Sequence, residues 1–157
     1  METKLKDFKE EYEKLRKEHN LPSFKEMNED FDIEKIDRES ETLLRAVRKV
    51  AMEKVVSTIG FIEMLFNPQN SPRMYHKYLQ TISSGDRELL EKIYFNLADL
   101  ILVALDAEME YDERREADTI NKIFKKWSEL KPDLKVIFKN LKNPQEFNEK
   151  KTKSYFG

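Results

Sequence analysis

The chain of 157 residues contains no cysteine, which removes disulfides, thiolate nucleophiles and every thiolate metal site. Three glycines and five prolines leave few places for tight turns, and there is no glycine-rich loop to cradle a phosphate. Two histidines are present. Neither His19 nor His76 has a glutamate three residues earlier, so the Glu-x-x-His motif of di-iron helical bundles is missing. No serine, histidine and acid fall into a pattern that specifies nucleophilic catalysis. The longest apolar run is shorter than the roughly 20 residues that cross a bilayer. A formal net charge of −2 gives no global attraction to nucleic acid or to an anionic membrane.

What is present is helical vocabulary. Charged residues make up 38% and apolar ones 39% of the chain, the mixture of one soluble domain with long solvated helix faces. Between Ile93 and Leu105 only Asn96 and Asp99 interrupt the apolar residues. A helix greasy nearly all round must be enclosed by others. The expected fold is therefore all-α: a helical bundle of about five longer helices, plus one or two short ones, around a buried central helix at about 87–108.

Four regions follow from the periodicity and its breaks. Residues 1–20 read as an N-terminal amphipathic helix whose seam, Leu5, Phe8, Tyr12 and Leu15, alternates spacings of three and four. Residues 21–38 form an acidic connector, with Ser23 and Glu26 as a capping box opening a short helix. Residues 39–143 form the bundle core. Within it, helices are expected at about 39–66 and 87–108, from Asp112 to about Leu130, and again from Pro132–Asp133, with a short one after Ser71–Pro72. Residues 144–157 are a polar tail, in which Tyr155 and Phe156 have no visible core to join and suggest either plain disorder or a docking peptide.

The acidic run from Asp106 to Asp112 fails as a calcium loop, because Tyr111 stands where the sharp turn needs glycine. Carboxylates near the start of the next helix explain it as well, since they favour the helix dipole. Asp99 is the buried-polar candidate. It lies on a wet stripe with Asn96 and Asp106, or pairs with Arg45 or Arg48 of the long helix, or lines a partner groove. Charge is uneven: residues 23–41 hold eight acids against three bases, residues 106–119 seven against two, and residues 120–157 ten lysines against four acids. Lys131, Lys135, Lys139 and Lys142 are the phosphate-contact candidates, although arginine, the better bidentate phosphate ligand, is missing there.

Leu21-Pro22-Ser23-Phe24 followed by Phe31-Asp32-Ile33, with Lys126-Trp127 ahead of a final helix, resembles a group of small uncharacterised archaeal all-helical proteins of unknown function. The resemblance implies a cytoplasmic helical protein and supplies no activity or site. The opening Met1-Glu2-Thr3-Lys4 leads straight into a charged helix, so no signal peptide is expected.

By exclusion, the expected function is a non-catalytic protein-interaction or assembly module with no cofactor, catalytic residue or metal ligand. Leu5, Phe8, Tyr12 and Leu15 are its candidate contacts with a protein partner or a second copy. The alternatives are a nucleic-acid or ribosome-associated protein using the lysine stripe, and a metal-dependent hydrolase built on Asp99, Asp106 and neighbouring carboxylates.

Overall fold

A computed structural model describes residues 2–37 and 42–143. Six α-helices follow in order: α1 (Glu2–His19), α2 (Phe24–Phe31), α3 (Leu43–Phe66), α4 (His76–Leu79), α5 (Ser84–Met109) and α6 (Glu113–Lys142), with 3-10 turns at Ile33–Lys35, Pro68–Asn70 and Arg73–Tyr75. The all-α bundle expected from the sequence is what forms. Helices α3, α5 and α6 make most of the contacts between elements, while α1 and α2 lie over α6 and α3.

The helix starts follow local chemistry. Ser23 caps α2 in a reciprocal box: the Glu26 amide donates to Ser23 Oγ at 3.2 Å and the Ser23 amide to Glu26 Oε2 at 2.8 Å. The Ser23 hydroxyl, donating to Glu26 Oε2 at 2.6 Å, and next the Ser23 amide hold the Glu26 carboxyl below its usual range. Asp112 caps α6 through the Arg115 amide at 2.7 Å. Helix α5 is capped by Ser83, whose Oγ accepts from the Asp86 amide at 3.0 Å.

Two expectations are corrected. The helices expected on either side of Pro132 are one, α6, with the proline inside it. A proline removes one helix hydrogen bond and clashes with the carbonyl four residues back. Here that carbonyl belongs to Ser128, and both Ser128 and Pro132 are exposed, so water can take the lost bond. Buried Trp127, Leu130, Leu134 and Ile137 hold the helix together on its other face.

The second concerns enclosure. Helix α5 buries Leu90, Ile93, Leu97, Leu100, Ala104 and Ala107. Its outer face stays wet: Phe95 is 59%, Leu102 69%, Leu105 56% and Met109 85% exposed. Among the described residues, neighbours cover α5 on one side only, the side that meets α3 and α6. Phe8 and Tyr12 are buried with Leu21, Phe24, Met27, Phe31 and Ile33 in one continuous core, and the Tyr12 hydroxyl donates to Pro22 O at 2.9 Å. Helix α1 is thereby committed to α2 and α6.

Candidate functional site: an exposed apolar seam and a histidine–carboxylate cluster

The partner-contact candidates of the first helix are spent inside the chain. Phe8 and Tyr12 are buried and Leu5 and Leu15 pack against the same core, so this seam offers no free apolar face. Its aromatics meet Phe24 edge-on at 5.5 and 5.9 Å between ring centroids. Burial first, and the neighbouring Glu13 next, push the Tyr12 hydroxyl well above its ordinary pKa.

Asp99 is exposed and is not the buried acid. That role belongs to Glu116, which is fully enclosed. Arg48, also buried, donates through Nε to Glu116 Oε2, and Arg45 donates through Nε to Glu116 Oε1 at 3.0 Å. Arg45 further donates to the carbonyl of Ala107 at 3.3 Å, satisfying the C-terminal end of α5, and lies 5.4 Å from the Tyr111 ring. Arg48 also pairs with Glu108, which Lys49 approaches at 3.6 Å. The bond from Arg48 holds the Glu108 carboxyl below its usual range. Burial alone would lower the Arg48 pKa, but the bonds from Glu116 and Glu108 outweigh it and raise the value. The network locks the α5–α6 junction onto α3.

The lysine stripe is only partly available. Lys131 is tied to the mostly buried Asp30 of α2, while Lys135, Lys139 and Lys142 are exposed. The aromatics interleaved with the stripe, Trp127 and Phe138, face the core and offer no stacking platform. The tail residues Tyr155 and Phe156 lie outside the described residues.

The outer face of α5 is what the sequence did not single out. Phe95, Leu102 and Met109 recur every seven residues, with Ala98 and Leu105 between them, the spacing of a helix-pairing seam. Together they leave roughly 500 Å² of apolar surface wet, toward the top of the range for the largest patch on a monomer. No described segment covers it. On one side Tyr94 reaches α3, donating to Glu63 Oε1 at 2.9 Å; on the other Asn96 accepts from Lys126 of α6 at 3.1 Å.

A second feature joins α1 to α6. His19 Nε2 lies 2.8 Å from Glu113 Oε1, and Glu18 adds a third group, one ligand atom from each lying within 4.8 Å of the others. Glu18 and His19 belong to the last turn of α1 and Glu113 to the first of α6. His76 is exposed at the start of α4 and joins no such group among the described residues.

No family model matches this chain, and no curated protein or solved structure matches it either. Among the described residues no helix is long and apolar enough to cross a membrane.

Proposed function

We propose that this protein is a non-catalytic interaction module whose contact surface is the outer face of α5. The observation that supports this is the run of four large apolar side chains, Phe95, Leu102, Leu105 and Met109, each more than half exposed. Single exposed leucines are ordinary; a contiguous seam is what protein–protein surfaces carry. A standard interface covers about 800 Å² on each partner, so the seam would form the apolar centre and its flanking residues the rim. A photoreactive residue at position 102 or 109, introduced in the cells of origin, tests this. The expected result is a discrete adduct from both positions and none from position 125, on the exposed side of α6. Equal labelling from all three would contradict the reading.

One observation favours a second reading, metal binding, at a different place from the carboxylates first considered. Glu18, His19 and Glu113 offer one imidazole nitrogen and two carboxylate oxygens, a donor set that suits zinc or a similar divalent ion more than calcium or magnesium. The C-terminal dipole of α1 favours a cation there. Calorimetric titration of the full chain with Zn²⁺ tests it. Binding with a micromolar or tighter constant that His19→Ala abolishes supports the reading; no heat, or heat unchanged in His19→Ala, leaves an ordinary hydrogen bond between His19 and Glu113.

A further inference from the structure

In heptad terms Phe95, Leu102 and Met109 occupy one core position of the α5 seam and Ala98 and Leu105 the other. Lys92, Asp99 and Asp106 then form the flank toward α6, and Tyr94, Ile101 and Glu108 the flank toward α3. The seam continues N-terminally into Glu91 and Glu88. Glu88, Glu91, Asp99 and Asp106 are all exposed, and none has an ion-pair partner among the described residues. Glu108 differs, being held by Arg48 and Lys49. Asp106 borders a depression lined also by Arg114, Arg115 and Lys122, so among the described residues Asp99 is the flank carboxylate least answered. The exposed cations of α5 are Lys92 and Arg87, and the Arg87 guanidinium sits 5.9 Å from the Phe66 ring.

A second copy of α5 leaves Asp99 unanswered. Antiparallel pairing about a two-fold axis near Leu102 sets the Asp99 of each copy opposite the Asp106 of the other. Parallel pairing sets Asp99 beside Tyr94 and Asp106 beside Ile101, and the Tyr94 hydroxyl is already engaged by Glu63. Centred near Leu100 instead, antiparallel pairing sets Lys92 opposite Asp106 but Asp99 opposite the Asp99 of the other copy, so in none of these registers does a cation meet Asp99. Like charges facing across an interface disfavour a partner, and opposite ones select it.

We propose that the outer face of α5 takes an amphipathic helix of a different polypeptide, apolar at heptad spacing and flanked by lysine or arginine. The inference rests on that face being the docking surface, and it names the chemistry of the partner. Two synthetic three-heptad peptides serve as probes, both with leucine at the core positions, one with lysine and the other with glutamate at the flanks. Fluorescence anisotropy against the full chain reads the binding, with light scattering to follow its oligomeric state.

The expected result is at least tenfold tighter binding of the lysine-flanked peptide, weakening with added salt. Leu102→Asp should abolish it with the circular dichroism unchanged. The double variant Asp99→Lys, Asp106→Lys should reverse the preference toward the glutamate-flanked peptide. Equal binding of both peptides, or a preference that survives the charge reversal, would overturn the inference while leaving α5 as the docking face. A dimer dispersed by Leu102→Asp would overturn it in favour of a second copy. Binding of neither peptide, with the chain monomeric throughout, would overturn the inference and the reading of α5 together.

Discussion

Arg48 of α3 and Glu116 of α6, 68 residues apart in sequence, meet as a buried ion pair. A second arginine, Arg45, meets the same carboxylate at 3.0 Å. Desolvating such charges is costly, and removing one partner exposes that cost in full. Glu116→Ala is therefore expected to lower the unfolding free energy by about 3–5 kcal/mol, read by urea denaturation. Replacing Arg48 by Met and Glu116 by Leu together should recover part of that loss, because Arg48 is no longer stranded while Arg45, 21% exposed, keeps its bond to the Ala107 carbonyl. A double variant as unstable as the single one would show that the pair is irreplaceable rather than merely matched.

The same network gives a pH dependence with a defined sign. Glu108 is held below its ordinary pKa, first by the bond from Arg48. A depressed carboxyl contributes stability that is present above its unfolded value, about 4.3, and is lost as pH falls through the lower folded value. Because Glu108 is partly exposed, solvent screens the pair and the contribution at neutral pH is about 1 kcal/mol or less. Glu108→Gln should lower neutral stability by that same small amount and flatten the loss of stability below pH 4. An unaltered acid limb in that variant would show that Arg48 does not depend on Glu108.

Phe8→Ala tests the role of α1. Its ring is enclosed in the core and packs against Phe24, so truncation is expected to cost about 3–5 kcal/mol. Light scattering should show no change in association state. A variant of unchanged stability but altered association would return this seam to the surface.

Pro132 offers a gain. Pro132→Ala restores an amide able to bond the Ser128 carbonyl and removes the ring clash. The substitution should raise the unfolding free energy by about 1–3 kcal/mol, with helical circular dichroism kept. A loss of stability would mean that α6 needs a kink at that point for packing.

Much of this was legible in the sequence, and the misses share a cause. The capping box at Ser23 and Glu26 and the cap at Asp112 were readable because caps depend on neighbours within one turn. Pro132 was read as a boundary because its local cost is plain, whereas the packing that overrides it comes from elements far away in the chain. Glu116 was missed although a signal existed. It continues the three-and-four spacing of Ile120, Ile123 and Trp127, as Arg48 continues that of Leu44, Ala51 and Val55. Two opposite charges, each in register with a core seam, point to one buried pair.

The enclosure of α5 was not legible at all. Its sequence is apolar nearly all round, and which side is covered is decided by how the distant helices α3 and α6 dock against it. The cluster of Glu18, His19 and Glu113 was invisible for the same reason, since its members lie on helices joined only by tertiary packing.

The account turns on the outer face of α5 being wet in the folded chain, and one comparison tests that most directly: unfolding free energies of Leu102→Asp and Leu97→Asp in dilute solution. Leu97 is fully buried on the inner face, so a carboxylate there should cost several kcal/mol or prevent folding. Leu102→Asp should fall within about 0.5 kcal/mol of the parent chain. Equal and severe losses from both would contradict the account, because they would place Leu102 inside the fold.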